Sequence, residues 1–210
     1  VIGLGRFGFS VCGKLHALGH DVLAIDKSEK KVNSVLPIVT DAQIGDATDI
    51  DLLKSLGVKN FDVCIVAMGN DFQSSLEITS QLKELGARLV VSRASGELQE
   101  KLLKKIGADE VVYPERQLAD WTAIRYTSDH VTGYIEIDGD YSIFEVDIPH
   151  EWLGKTVGEL DVRKKFNINV LGIKEHSKMD PVIGPETVLK EGQTLMVLGK
   201  FKDLKKCFKI

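Results

Sequence analysis

What this chain has little of narrows its chemistry first. Lysine and arginine number 27 against 31 aspartate and glutamate, a net charge of −4. Without a basic excess there is no electrostatic footing for a phosphate backbone, which argues against nucleic acid as a partner. No apolar run approaches the ~20 residues of a membrane-spanning helix. No signal-peptide pattern is present. The three cysteines, Cys12, Cys64 and Cys207, are odd in number and far apart. They match no zinc or disulfide spacing, so a reducing cytosol is the expected compartment. The chain has no initiator methionine and opens inside a strand, so residues before Val1 are expected.

Catalytic patterns are missing as well. There is no nucleophile elbow, no zinc cluster and no Lys/Tyr pair at reductase spacing. The glycine-rich stretch lacks the lysine of a P-loop, which removes phosphoryl transfer. His16, His20, His130, His150 and His176 are scattered, none in a catalytic setting. His16 and His20 read as solvent or packing residues. These gaps favour a protein that binds a ligand without turning it over, and not an enzyme.

The 210 residues, 43% hydrophobic and 28% charged, suit one large or two small globular domains. The chain is organised around Val1-Ile2-Gly3-Leu4-Gly5-Arg6-Phe7-Gly8. It reads as a strand end, a glycine turn and a helix start, with G-x-G-x-x-G spacing. Gly3 allows the tight turn, Gly5 lets a pyrophosphate approach the backbone, and Gly8 allows close helix packing. The helix N-terminus then presents N–H groups and its positive dipole end to phosphate. Gly3, Gly5, Arg6, Phe7 and Gly8 are therefore the candidate phosphate cradle.

Strands and helices alternate behind that turn. Strands are expected at 21–25, 39–44, 61–67, 89–93 and 110–113, and helices at 7–18, 29–35, 50–56, 72–85 and 97–106. Val11, Leu15 and Leu18 mark one expected helix stripe, and Leu98, Leu102 and Ile106 another. Short connections and continuous apolar strands predict a doubly wound parallel sheet. A helix over 115–128 follows, then a hairpin with strands at 131–137 and 141–148 turning at Asp138-Gly139-Asp140. One short helix over 157–166, strands at 169–174 and 194–198, and a last helix over 202–208 complete the chain. The fold class is thus α/β: a Rossmann-like doubly wound parallel sheet followed by a small α+β C-terminal subdomain. The expected domains are 1–129, including the crossover helix 115–128, and 130–210.

The chemistry collects at the strand ends, where an open α/β sheet binds ligands. Asp26 stands 18 residues after Gly8, in position to accept from both ribose hydroxyls and repel a 2′-phosphate. Asp46 and Ala47 would edge the adenine, though Asp46 equally suits a helix N-cap. Met68 and Gly69 border the sugar or base. Arg6 can neutralise phosphate. Arg93 by itself is as ordinary as any surface salt-bridge partner. ATP, ADP and NAD or NADH all fit this set.

Taken together, the glycine turn, Gly45-Asp46-Ala47-Thr48, the segment Phe61 to Gly69 and the run Lys105 to Arg116 resemble the regulator-of-potassium-conductance (RCK or KTN) family. The likeness is to its KtrA/TrkA-type members and covers nearly the whole chain. The resemblance implies a cytosolic regulatory subunit, not an enzyme. It would gate a membrane potassium-translocating partner as homodimers assembled in an octameric ring, responding to ATP against ADP. An NAD(H) redox sensor or NAD-dependent oxidoreductase is the alternative. Carried over by position, Lys27, Ser28, Asn70, Ala94 and Ser95 join the residues above as nucleotide contacts. Glu115 falls where the family has a glutamate near the γ-phosphate that can engage Mg²⁺ or Ca²⁺. Some relatives bind cyclic di-AMP in the C-terminal subdomain, where Arg163 would serve. Arg93 stands where close relatives often carry Lys, and Gln99 where they carry His. The implied location is the inner face of the cell membrane, reached through the partner.

Overall fold

The computed structural model describes residues 1–69, 71–126, 130–138, 140–176 and 178–208. The chain forms two compact units, Val1–Arg116 and Gln117–Ile210. The boundary expected near Asp129 falls outside the described residues.

The first unit alternates helix and strand: α1 (Arg6–Ala17), β1 (Leu23–Asp26), α2 (Glu29–Val35), β2 (Asp41–Ile44), α3 (Ile50–Ser55), β3 (Cys64–Val66), α4 (Phe72–Glu84), β4 (Val90–Arg93), α5 (Glu97–Lys105) and β5 (Glu110–Val112). Every strand pair is parallel. Ile2 bridges Ile25 on one side and Val66 on the other, so the strand order is β2-β1-Ile2-β3-β4-β5. The chain therefore runs from Ile2 outward in both directions. That switch point opens a crevice at the carboxyl ends of the strands, directly beside the glycine turn.

Helices cover both faces. Leu4, Cys12, Val22, Ala24, Val32 and Val35 pack as one cluster under α1 and α2. Ile2, Ile25, Leu53, Val66, Ile78, Leu82 and Val90 form the other, under α3 and α4. Each buried Val, Leu or Ile among them contributes about 1.5–3 kcal/mol. Ser92 is buried in β4 and is satisfied by the Thr79 hydroxyl at 2.8 Å.

Two helix stripes differ from those read in the sequence. In α1 the buried positions are Gly8 and Cys12, while Leu18 is 59% exposed. Leu18 is the C-cap, just beyond the last helical residue, while Leu15 of the expected stripe still packs against the core. In α5 the buried positions are Gln99 and Leu103, while Leu98 is 68% exposed. Gln99 faces inward because its Oε1 accepts the Ser95 N–H at 2.9 Å. The buried face thus lies one residue along from the expected stripe, with a polar residue at one of its inward positions.

Pro114 does more than stop a strand. It opens α6 (Pro114–Tyr126), as suits the first turn of a helix. α6 buries none of its residues: Leu118 is 64% and Tyr126 75% exposed. The second unit continues with β6 (Val131–Glu136), β7 (Tyr141–Asp147), α7 (Val157–Leu160), α8 (Val162–Phe166), β8 (Asn169–Glu175), β9 (Lys178–Asp180), β10 (Gln193–Lys200) and α9 (Phe201–Phe208). The five strands form one antiparallel sheet, β6-β7-β10-β8-β9. Its core gathers Phe144, Ile168, Leu189, Leu195 and Leu204. The single helix expected over 157–166 is two, broken at Asp161, whose φ of 46° is left-handed. A residue in that region ends a helix, and aspartate tolerates it better than most. β9 was not anticipated, because all three of its residues are exposed and carry no burial pattern. Among the described residues no helix is long and apolar enough to cross a membrane.

Candidate nucleotide site

The glycine turn is built by contact. Gly3 has φ +91°, a backbone that side-chain-bearing residues rarely adopt. A Cβ on Gly8 would stand 2.0 Å from the Gly3 carbonyl oxygen, so α1 can lean on the turn only if position 8 is glycine. Gly5 precedes the helix at φ −71° and a Cβ there would meet nothing within 4 Å. The space above Gly5 is open, as the approach of a diphosphate requires. The first turn of α1 holds no acidic residue to compete for that anion.

Asp26, at the end of β1, ties the turn to the sheet. Its Oδ2 accepts the Leu4 N–H at 2.7 Å and its Oδ1 accepts the Ser28 N–H at 2.9 Å. Lys31 of α2 donates to both oxygens, at 3.1 and 3.3 Å. Burial works to raise the Asp26 carboxyl, but these hydrogen bonds outweigh it and hold the group below its ordinary value. The carboxylate is therefore charged at neutral pH and fixed in orientation.

Around it lies a cleft of about 470 Å³, lined by Gly3, Gly5, Asp26, Lys27, Ser28, Ala47 and Met68 among others. Ile2, Ile25, Ala67 and Ile78 supply an apolar wall. That size and lining suit a largely apolar ring with a few fixed polar contacts. Across its rim Lys27 pairs with Asp46 at 2.9 Å. Asp46 does not cap α3; Asp49 does, accepting the Asp51 N–H. Instead Asp46 Oδ1 accepts the Thr48 hydroxyl at 2.7 Å and the Thr48 N–H at 3.0 Å.

The Thr48 hydroxyl, then Lys27, then the Thr48 N–H lower the Asp46 carboxyl to about 2. The folded value lies below the ordinary one of about 3.9. Its contribution to stability is thus present above pH ~4 and fades as pH falls toward 2. With Asp46 46% exposed, that contribution is small. Carbon-detected NMR should show Asp46 titrating near pH 2, and Thr48→Val or Lys27→Met should each move the midpoint upward. An unmoved midpoint in both variants would remove these contacts as the cause.

A second cluster gathers at the other end of the turn. Arg93, ending β4, donates from Nη2 to Glu115 in the first turn of α6. Its guanidinium carbon lies 5.6 Å from the centre of the Phe7 ring. Ser95 Oγ donates to the Gly69 carbonyl at 2.8 Å, tying the β3–α4 loop to the β4–α5 loop. Gly69 leaves room for the Arg93 guanidinium, since a Cβ there would stand 2.5 Å from Arg93 Nη1 and push that side chain aside.

The TrkA-N domain model matches residues 1–114, and the TrkA-C domain model matches residues 141–210. The chain belongs to the TrkA (RCK/KTN) family. It is 40% identical over 206 residues to the Ktr system potassium uptake protein C of Bacillus subtilis, spanning 97% of this chain and 92% of that one. It is 38% identical to the Ktr system potassium uptake protein A of the same organism, spanning 98% and 93%. Among solved structures, the GsuK RCK domain superposes with a TM-score of 0.68 at 20% identity, covering 97% of this chain and 45% of that one. This chain thus spans under half of that longer protein. The NAD(P)-binding domain of an exopolyphosphatase-related protein from Archaeoglobus fulgidus covers 57% of this chain and 90% of its own, with 28% identity and a TM-score of 0.52.

In this TrkA-family chain most of the predicted site residues fall into those two clusters; Arg6 opens α1 beside them, and three others lie apart. Ala94 is buried beside Leu103 and Ala108, and its N–H is taken by the Val112 carbonyl. Asn70 lies outside the described residues. Arg163 is exposed on α8, in the second unit. Sequence reading missed Lys31 and Asp71, both of which line the cleft. Lys31 carries a usable signal, since it stands one turn into a helix that begins just after Asp26. Asp71 caps α4 by accepting the Ser74 N–H, a helix-start pattern that the sequence displays. For a metal, no group of three or more His, Cys, Asp or Glu comes together among the described residues. The cysteines Cys12, Cys64 and Cys207 are all buried and free, and burial pushes the Cys207 thiol up to about 11.

Proposed function

We propose that this chain is the nucleotide-sensing regulatory subunit of a membrane potassium-uptake system and carries out no chemistry on its ligand. The observation that carries this reading is the Asp26 carboxylate. It is locked to the glycine turn, faces a cleft sized for an adenosine, and stands at the switch point of a parallel sheet. The relatives named above as Ktr potassium uptake proteins supply the transport context. ATP and ADP are the proposed ligands. Adenosine occupies the cleft, and the phosphates run over Gly5 toward Arg6 and Arg93.

Signalling then requires that ATP and ADP favour different conformations, because equal affinity for both would shift nothing. A dimer, assembling further into a ring on the cytoplasmic side of the partner, is the proposed unit. The exposed Leu118, Trp121 and Tyr126 of α6 support an interface there. NAD(H) is the second candidate ligand. The 28%-identical NAD(P)-binding domain favours it, and Asp26 serves an NAD ribose equally.

Mass spectrometry of ligand that copurifies with the protein separates the two. The result expected is an adenine nucleotide. Titration with ATP and ADP, followed by small-angle scattering, should then give distinct affinities and distinct particle shapes. Identical shapes would end the switch reading, and exclusive recovery of NAD would move the assignment to the second ligand.

A further inference from the structure

Basic residues are unevenly spread over the second unit. Residues 162–166 and 202–206 hold six lysines and arginines and one acidic residue, in a chain whose net charge is −4. These stretches are α8 and most of α9, two helices that touch each other. Val162 of α8 and Leu204, Cys207 and Phe208 of α9 are buried in one shared core. The basic side chains point away from it: Arg163, Lys164, Lys165, Lys202, Lys205 and Lys206 are all exposed. Among the described residues none of the six takes part in an ion pair; the unit's pairs engage Lys174, His176 and Lys200 instead. The acids next to these stretches do little to balance them. Glu159 accepts the Thr156 N–H at 2.8 Å, and Asp203 is half-buried, which leaves Asp161 exposed at the head of α8. Helix physics accounts for only part of the pattern. Lys205 and Lys206 lie in the last turn of α9 and complement its dipole. Lys202 lies in the first turn, where a cation opposes the dipole, and it stands four residues from Lys206, where like charges repel.

We propose that the exposed face of α8 and α9 is an electrostatic docking surface for the anionic leaflet of a lipid bilayer. The proposal rests on the membrane setting of the reading above and not on its nucleotide. Charge complementarity selects the occupant. Lysines presented together on long stems, with no carboxylate holding them, each gain about fivefold in affinity near an anionic lipid surface. The rest of the chain is more acidic than the whole. A flat leaflet that meets only this face is therefore attracted, while a polyanion that wraps the chain is repelled. The mode is adhesion, not insertion. A helix that inserts must turn its apolar side to the acyl chains. In α9 that side is already spent: Phe201 stacks on Phe144 at 5.8 Å, and Trp152 packs against Phe208 at 5.3 Å. Binding through lysine heads alone is reversible and is screened by salt. Such a contact holds a regulatory subunit in the plane where its transport partner lies, which raises its effective concentration there.

The test is flotation of the full chain with vesicles, in the absence of nucleotide and of any transport protein. Vesicles of phosphatidylcholine alone are compared with vesicles carrying about 30% phosphatidylglycerol. The chain should float with the anionic vesicles at about 50 mM salt and come off at about 500 mM, where the Debye length is only a few ångströms. It should ignore the neutral vesicles. Lys202→Gln, Lys205→Gln and Lys206→Gln together should weaken binding about a hundredfold, at roughly fivefold per lysine. All three side chains are exposed, and an unchanged melting point shows that the variant folds. Lys30→Gln, Lys101→Gln and Lys105→Gln together remove the same charge from exposed positions of the first unit. That triple should leave binding within about twofold of the parent. Equal binding to neutral vesicles, equal losses in the two triple variants, or no binding to anionic vesicles would each overturn the proposal. The last result would pass the face to an acidic protein segment. Read beside ATP and ADP titrations of the same sample, it would sink this proposal alone and leave the nucleotide reading standing.

Discussion

Asp26→Ala is expected to weaken AMP, ADP, ATP and NAD together, by about a hundredfold or ~2.7 kcal/mol. The loss should be common to all four, because the proposed contact is to the adenosine ribose that they share. Hydrogen bonds to a charged group are each worth about 1.5–3 kcal/mol, so losing the acceptor for two hydroxyls reaches this size. The same substitution leaves the Leu4 and Ser28 N–H groups without their acceptor and Lys31 without its partner. Stability should therefore fall too, by about 1–3 kcal/mol. Asp26→Asn separates the two effects. It keeps one acceptor oxygen, so it should recover part of the stability while leaving affinity low. Because the folded carboxyl is held below its ordinary value, its contribution is present above pH ~4 and is lost as pH falls further. Affinity should thus be flat in pH from 5 to 8 as far as this group is concerned. Calorimetry and thermal melts on the three proteins decide the matter. Unchanged ribonucleotide affinity in Asp26→Ala would take the residue out of the site.

Gly8→Ala and Gly5→Ala should fail in opposite ways, although the two glycines belong to one motif. At position 8 a methyl group would sit 2.0 Å from the Gly3 carbonyl oxygen and 3.1 Å from the Ala67 Cβ. Neither neighbour is the end of a flexible side chain. Relief requires α1 to back away from the turn. That move would loosen Cys12 and Leu4 in the cluster they share. Overpacking typically costs 1–3 kcal/mol, and a backbone clash this close belongs at the top of that range. A loss of about 3 kcal/mol corresponds to a melting point lower by ~10 °C or more. At position 5 the same methyl meets nothing, and the backbone there suits any residue. Gly5→Ala should melt within ~0.5 kcal/mol of the parent, as ordinary surface changes do, yet bind ADP and ATP at least tenfold more weakly. Similar melting points for the two variants would refute this division of labour.

Much of the first unit was legible because its signals are local. Glycine spacing, helix periodicity and strand length act within a few residues of one another. Each strand and helix of that unit lies within a few residues of its expected place, and the order of elements holds throughout. Where the reading slipped, a tertiary contact had replaced a local rule. Gln99 points inward because Ser95 offers it an N–H. Leu18 is exposed because α1 ends at Ala17 and leaves it as the C-cap. Asp161 breaks a helix that periodicity would continue, and β9 pairs with β8 at a sheet edge without any apolar face to announce it.

The sequence by itself determined the sheet, the glycine turn and the carboxylate beside it, since Gly3, Gly5, Gly8 and Asp26 are linked by one strand–helix–strand unit of predictable length. It also brought in the family, through motifs that run from the turn to Arg116. Only the tertiary structure decided what those residues touch. Lys31 on Asp26, Gly69 under Arg93 and Glu115 on Arg93 are separations of 5, 24 and 22 residues along the chain. The last two depend on which strand lies beside which, and on where each strand end stops. Neither is written in a local pattern. The difference matters at Glu115. As a letter it is an ordinary first-turn glutamate; in the fold its carboxylate is paired with the half-buried Arg93 at the end of β4.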